Sequence, residues 1–180
     1  ATLLFTAPFT PLVVIPHFNL GLLPADDMDA LSYGSDNNQV VPTRLNFSVR
    51  PGGLGMPGTA LNLEALCLPA EPHGDEFGMS APGTNLQVFD EDGAPCSTNA
   101  GYPFGYTLAE NLDGLDNHSP AVVDPDGNSI PNVPVYFSLK IGSPSLLTYT
   151  VAPSEILVFT PTAAVPVLFA STLALHLTID

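Results

Sequence analysis

The sequence predicts an all-β protein, either an antiparallel β-sandwich or a stack of sheets, made by internal duplication of a unit of about four strands. Short runs of β-branched and aromatic residues recur along the 180 residues, and Pro, Gly, Asn or Asp bounds most of them. The 20 prolines and 15 glycines are spread throughout, which disfavours long helices because a proline costs about 3 kcal/mol inside one. Self-similarity along the chain is the third observation, and it sets the architecture before any site is considered.

Individual segments support this fold class. Residues 44–50 alternate polar and apolar side chains, as a half-buried strand does, whereas residues 156–159 are apolar at four successive positions, as in a strand covered on both faces. Such strands, with turn residues between them, are typical of a sandwich, barrel or propeller. Strands are predicted over 3–6, 12–15, 45–49, 86–89, 135–139, 147–151, 156–159 and 165–169.

The duplication is visible in three motifs. Residues 27–31 read DMDAL and residues 111–115 read NLDGL. Downstream of them, residues 46–52 read NFSVRPG and residues 136–142 read YFSLKIG. A third, apolar segment that ends in Phe is found at 2–5, 85–89 and 155–159. With a long apolar segment after it, the repeat resolves into about four strands.

Residues 1–180 are therefore predicted to form a single all-β domain of about two and a half units. Four strands also match a propeller blade, but so short a chain cannot close a ring by itself, and we place a sandwich or stack ahead of propeller-like blades. Residues 2–22 resemble the last two strands of a unit, and Asp180 resembles the first residue of another motif. Because incomplete units leave unpaired strand edges, we expect residues 1–20 to contact a neighbouring copy. The alternative is that the terminal strands pair with each other within one monomer.

The first full unit is longer than the second. Phe47 and Phe89 are 42 positions apart, whereas Phe137 and Phe159 are 22 positions apart, which predicts an inserted surface loop over residues 52–84. Long loops on regular scaffolds often carry binding sites.

The two cysteines, Cys67 and Cys96, lack the four closely spaced ligands of a zinc site. A disulfide between them is the better interpretation in an exported protein. It would close a ring of about 30 residues, which the chain-entropy estimate values at roughly 3–4 kcal/mol.

Charge excludes several classes of partner. The net charge is −15, and Arg44, Arg50 and Lys140 are the whole basic complement, so binding to nucleic acid or to an anionic membrane surface is not expected. No stretch approaches the roughly 18–20 uninterrupted apolar residues of a membrane span. Divalent cations are the natural partners of such an acidic surface.

Acidic clusters predict calcium binding. Residues 124–128 read DPDGN, which resembles the opening of a calcium loop but lacks the Glu that completes an EF-hand. The candidate ligands are Asp26, Asp27, Asp29, Asp113, Asp116, Asp124, Asp126 and Asn128. The alternative is turn chemistry without a metal, because Asp, Asn and Gly favour turns by themselves. Asp27 and Asp29 also form a candidate carboxylate pair for glycoside hydrolysis, which is less favoured because a repeated motif is more often structural.

The repeat resembles one found in large secreted or surface proteins of environmental bacteria. The residues that carry the resemblance are 20–22, 26–31, 47–48, 137–139 and 154–157. The resemblance implies an exported location and no particular activity. We therefore expect an exported, calcium-associated structural or surface protein, not an enzyme, that assembles with copies of itself into a filament or layer. The alternative is a carbohydrate-binding or adhesive module that uses the 52–84 segment and nearby tyrosines.

Overall fold

The computed structural model describes residues 2–6, 10–33, 45–91, 102–103, 110–117, 134–160 and 165–171. The strands in these ranges are β1 Thr2–Thr6, β2 Thr10–Ile15, β3 Met28–Tyr33, β4 Leu45–Val49, β5 Glu76–Ala81, β6 Thr84–Asp90, β7 Tyr102–Pro103, β8 Leu112–Asn117, β9 Val135–Leu139, β10 Ile156–Phe159 and β11 Val167–Ala170. The helices are α1 Ala60–Ala65, α2 Ser145–Thr148 and a 3₁₀ turn at His17–Leu20. The predicted all-β class is confirmed. No described helix has the length and apolar character needed to span a membrane.

The strands form three sheets. β3 to β6 make an antiparallel meander, which we call unit 1, and β8 to β11 make a second meander, unit 2. β1 and β2 form a separate two-stranded sheet, the N-terminal hairpin. The two-residue strand β7 pairs in parallel with β6, so the sheet of unit 1 is not purely antiparallel. The described strands close no barrel, and two stacked four-strand units confirm the predicted duplication.

The first two strands of both units pair in the same register. Leu31 lies opposite Phe47 in unit 1, as Leu115 lies opposite Phe137 in unit 2. Two residues before each leucine, a bulged aspartate interrupts the pairing. The DMDAL and NLDGL motifs therefore occupy equivalent places, as the sequence predicted.

The third and fourth strands also share one geometry, and the N-terminal hairpin has it too. One residue of the second strand is bulged beside the first residue pair in each hairpin: Val14 in β2, Val88 in β6 and Phe169 in β11. The N-terminal hairpin thus has the backbone pairing of the last two strands of a unit. Among the described residues it pairs with no strand of either unit. Residues 172–180 lie outside the described residues, so the alternative of terminal strands that pair with each other stays a prediction.

The register corrects one sequence alignment. Residues 85–89 lie in the fourth strand of unit 1, whereas residues 156–159 form the third strand of unit 2, so these Phe-ending segments are not equivalent. The true counterpart of β10 is β5, which lies between β4 and β6. Residues 52–84 are consequently more than an inserted loop, because they contain α1 and a full strand of the sheet.

The strand predicted over 147–151 is wrong. Residues 145–148 form α2, and the chain then turns through Thr150, whose φ of 56° belongs to the left-handed region. Leu147 is exposed, so the apolar and β-branched composition of this run does not reflect burial in a sheet.

Equivalent positions build the two cores. The unit 1 core contains Leu45, Phe47, Val49 and Phe77 from the strands of unit 1, and the unit 2 core contains Leu112, Val135, Phe137, Leu139, Leu157 and Phe159 from the strands of unit 2. Each core is completed by the end of the preceding hairpin, because Ile15 of β2 packs in unit 1 and Phe89 of β6 packs in unit 2. Phe89 meets Phe159 edge to face with 5.9 Å between ring centroids. The units therefore stack in series.

Candidate functional site

A nearly buried carboxylate, that of Asp29, forms ion pairs with basic side chains from both units. Asp29, the bulged residue of β3, has a side chain that is only 5% exposed. Its Oδ1 accepts from Arg50 Nε at 3.2 Å, and its Oδ2 lies 3.0 Å from Lys140 Nζ. Asp27 Oδ2 adds a second contact to Arg50, at 3.0 Å. The hydrogen bond with Asp29 and the charges of Asp27 and Asp29 raise the pKa of Arg50. We call these four residues the Asp29 ion cluster.

The repeat explains why both cations reach one acid. The Arg50 N–H donates to Asp27 O at 2.9 Å, and the Lys140 N–H donates to Asn111 O at 2.8 Å, so the two basic residues hold equivalent places. The side chain of Lys140 nevertheless crosses from unit 2 to Asp29 of unit 1. The Asp29 ion cluster is therefore a contact between units.

Asp26, the first predicted calcium ligand, organises a turn. Its carboxylate accepts backbone N–H groups from Leu23 at 2.7 Å, Leu54 at 2.9 Å and Gly55 at 3.0 Å. These bonds tie the segment before β3 to the loop after β4. Three backbone N–H groups thus engage this carboxylate.

The remaining predicted calcium ligands do not gather in the described part of the chain. Asp113 and Asp116 are exposed on β8, and Asp124, Asp126 and Asn128 lie outside the described residues. Across the described ranges, no group of three or more His, Cys, Asp or Glu side chains is arranged to hold a metal ion.

A second acidic group, which the sequence did not single out, is buried where unit 1 meets unit 2. Its members are Asp75, Asp90, Glu91 and Glu110, and we call it the junction acids. Gln87 Nε2 donates to Asp75 Oδ2 at 2.9 Å and to Asp90 Oδ2 at 3.1 Å. Without this shared amide, two buried carboxylates would face each other directly.

Backbone donors link the junction acids across the two units. The Glu91 N–H donates to Asp75 Oδ1 at 2.9 Å, and the Glu110 N–H donates to Glu91 Oε2 at 3.2 Å. The Ser145 N–H at the start of α2 donates to Glu110 Oε1 at 2.6 Å. Gly74 leaves room for this arrangement, because the carboxylate of Glu91 occupies the space that a Cβ would fill.

Burial governs the titration of this region. Burial first, and then the charge of Asp90, raises the pKa of Asp75 well above its ordinary value. Burial also lowers the pKa of the nearby His73, and burial together with Glu110 raises the pKa of Tyr149. All three shifts favour neutral side chains, as expected where charges leave water.

The sequence carried a faint signal for the junction acids. Gln87 interrupts the otherwise apolar run 86–89, and acidic residues stand at the start of β5, at 75–76, and at the end of β6, at 90–91. Acidic turns on the surface have the same composition, so burial could not be inferred from it.

One pocket in the described residues lies on unit 2, on the side of the sheet that carries Tyr136 and Ser138. It has a volume of about 440 Å³. Tyr136 and Phe169 form an edge-to-face pair there, with 4.8 Å between ring centroids. Gly114, Leu115, Asp116, Phe137, Ser138 and Ile156 complete the lining. Aromatic rings beside a carboxylate and a hydroxyl make a surface that is both apolar and able to form hydrogen bonds.

The 52–84 segment, predicted from the sequence as a candidate binding loop, contains a capped helix fixed against β6. Its helix α1 is capped by Thr59, the residue before the helix, whose Oγ1 accepts from the Asn62 N–H at 3.2 Å. The Leu61 N–H donates to Asn85 Oδ1, which fixes the helix against β6. Cys67 follows the helix and is half-buried, while Cys96 lies outside the described residues, so their disulfide stays a prediction.

Comparison of the chain with protein-family models, with characterised proteins and with solved structures gives no match.

Proposed function

We propose that this chain is an exported structural or surface protein that assembles with copies of itself into a filament or layer. The observation that carries the proposal is the serial stacking of equivalent units. Ile15 of the N-terminal hairpin packs in the core of unit 1, and Phe89 of unit 1 packs in the core of unit 2. The last strand of each hairpin therefore contributes an apolar side chain to the core of the unit that follows it. Repeat proteins of this kind build extended structures from nearest-neighbour contacts.

The chemistry of the acidic pair favours a structural role over hydrolysis. A retaining or inverting glycosidase needs one carboxylic acid and one free carboxylate flanking the substrate. Asp29 is instead held between Arg50 and Lys140, and Asp27 contacts Arg50. We accordingly propose no catalytic activity.

Calcium association remains part of the proposal, and the proposed site is the DPDGN segment at 124–128 in place of Asp26, Asp27 and Asp29. Asp26, Asp27 and Asp29 already have backbone or basic partners, so a cation there would have to displace them. The DPDGN segment at 124–128 and the net charge of −15 are what support calcium binding.

A melting experiment tests the calcium proposal. Chelator should lower the melting temperature, and millimolar calcium should restore it, because a ligand that binds only the folded state stabilises it. A double variant, Asp124→Asn with Asp126→Asn, should lose this response, whereas Asp27→Asn should keep it. An equal response in the double variant would move the site elsewhere, and no response in any form would remove calcium from the proposal.

Electron microscopy and sedimentation test assembly. Purified protein should show masses above that of one chain that grow with concentration, with regular particles or filaments in the images. A single monomeric species up to millimolar concentration, with and without calcium, would contradict the proposal.

One observation favours a second candidate function, glycan binding. The pocket on unit 2 combines the rings of Tyr136 and Phe169 with Asp116 and Ser138, and sugars stack on aromatic faces while their hydroxyls bond to polar groups. The residues that support this candidate lie on unit 2 and outside the 52–84 segment. Binding of soluble oligosaccharides that Tyr136→Ala abolishes and Tyr149→Ala leaves unchanged would support it, and no binding to a broad glycan panel would exclude it.

A further inference from the structure

We propose that the open face of unit 2 is a docking surface for a second copy of this chain, which binds head to tail through its N-terminal hairpin. The open face consists of Gly114, Asp116, Tyr136, Ser138, Ile156 and Phe169. The inference rests on the proposed self-assembly and deepens it by naming the two surfaces that meet.

The same face of unit 1 is already covered within the molecule. By strand register, the counterparts of the open face in unit 1 are Ala30, Ser32, Asn46, Ser48, Glu76 and Val88. All six are buried. β3 lies beside β8 of unit 2, and Ser48 Oγ donates to Leu112 O at 3.4 Å. In this architecture, then, the face is one on which the next unit stacks.

Exposure changes sharply between the two units at this face. Val88 of β6 is 1% exposed, whereas its counterpart in β11, Phe169, is 59% exposed. Ile156 of unit 2 is likewise only partly buried, whereas its counterpart Glu76 is fully buried. A contiguous apolar surface that water reaches marks a place where another protein can bind.

The N-terminal hairpin carries the residues that such a face receives. Within the chain, Phe89 of unit 1 contacts Phe159 in β10, the third strand of unit 2. In the N-terminal hairpin, Leu3 and Phe5 hold the register positions of Leu157 and Phe159. β10 is flanked by β9, but β1 has no second neighbouring strand among the described residues. A second copy can therefore present on β1 the apolar positions that β10 presents to unit 1.

Apolar contact suits a chain of this charge. Copies with a net charge of −15 repel one another, and none of the six residues that define the open face is basic. Association through this face should strengthen as salt screens the repulsion. Because the two surfaces differ, the contact is heterologous and propagates into an open chain or a ring.

Sedimentation of charge-bearing variants tests the inference. Phe169→Asp should weaken self-association at least tenfold, whereas Ile141→Asp should associate like the native chain, since Ile141 is 82% exposed in a turn outside the face. Phe5→Asp changes the N-terminal hairpin, the second of the two surfaces, and should weaken self-association by the same factor. Circular dichroism melts check that each variant is folded, and Phe169→Ser and Phe5→Ser serve as milder replacements.

Mixing the variants tests the head-to-tail geometry. Phe169→Asp and Phe5→Asp should each remain monomeric alone and form a dimer when combined, because each retains the surface that the other lacks. Native-like association of Phe169→Asp would overturn this inference while leaving self-assembly intact. A mixture that stays monomeric would overturn the head-to-tail arrangement. A native chain that is monomeric at every concentration and salt would overturn the proposed assembly itself.

Discussion

Asp29 illustrates how single residues bind the units of this protein together. Its carboxylate receives Arg50 from unit 1 and Lys140 from unit 2, two of the three basic residues in the chain. The sequence identified Asp29 as a candidate ligand for calcium. A carboxylate that will meet a cation looks the same in sequence whether the cation is a metal ion or a lysine 111 positions away.

Removing this carboxylate should destabilise the fold selectively. Asp29→Ala removes a carboxylate that is only 5% exposed and that holds both Arg50 and Lys140, so we expect a loss of about 1–3 kcal/mol in the free energy of unfolding. Asp27→Ala is the matched control, because that side chain is 62% exposed and its loss should be below about 1 kcal/mol. Urea unfolding of both variants measures the difference. Equal losses would mean that the Asp29 ion cluster does not join the units.

Asp75 should make stability depend on pH. Its folded pKa lies well above the ordinary value of 3.8, so the folded protein keeps a proton that the unfolded chain releases. The stabilising contribution of this proton is complete below the unfolded pKa and is lost as pH rises through the folded pKa.

Asp75→Asn should therefore gain stability relative to the native chain as pH rises from acid to neutral, since an amide carries no charge at any pH. Melting temperatures of both proteins at several pH values between 3 and 8 provide the measurement. A difference between them that does not change with pH would show that Asp75 does not titrate in this window.

Among the elements, those with an apolar pattern of their own were predictable and those defined by their neighbours were not. β4 and β9 were predicted with correct bounds because alternating side chains mark one core face. β5 was missed because it contains Glu76 and Gly78, which strand propensity disfavours and which only the stacked arrangement places inside. The strand predicted over 147–151 was wrong for the opposite reason. Its β-branched and aromatic composition favours a strand, but the chain there forms the end of α2 and a turn.

The 52–84 segment yields a prediction about the cysteines. Cys67 follows α1 and Cys96 lies outside the described residues, so the bridge between them stays a prediction from the sequence. Reduction or the Cys67→Ser change should lower the free energy of unfolding by roughly 3 kcal/mol, because the unfolded chain regains the freedom of a long ring. Peptide mapping without reductant should recover the two cysteines joined. Two free thiols in the freshly purified protein would refute the bridge and weaken the case for export.

At the scale of the whole molecule, the repeat was the most informative part of the sequence. The duplication followed from the DMDAL and NFSVRPG motifs, because equivalent residues fold into equivalent strands, whereas the alignment of the Phe-ending segments misassigned the third and fourth strands of unit 1. The order of stacking did not follow. Phe89 is a residue of unit 1 in sequence and of the unit 2 core in space, and that relation depends on how two sheets pack.

Hydrogen exchange of a Phe89→Ala variant tests serial stacking most directly. Phe89→Ala should cost about 3–5 kcal/mol and lower the protection of β9 and β10 more than that of β4 and β5, because the missing ring leaves a cavity in unit 2. Phe77→Ala, its matched control within the core of unit 1, should give the reverse pattern. Greater loss of protection in β4 and β5 than in β9 and β10 for Phe89→Ala would contradict the stacking of one unit's last strand into the core of the next.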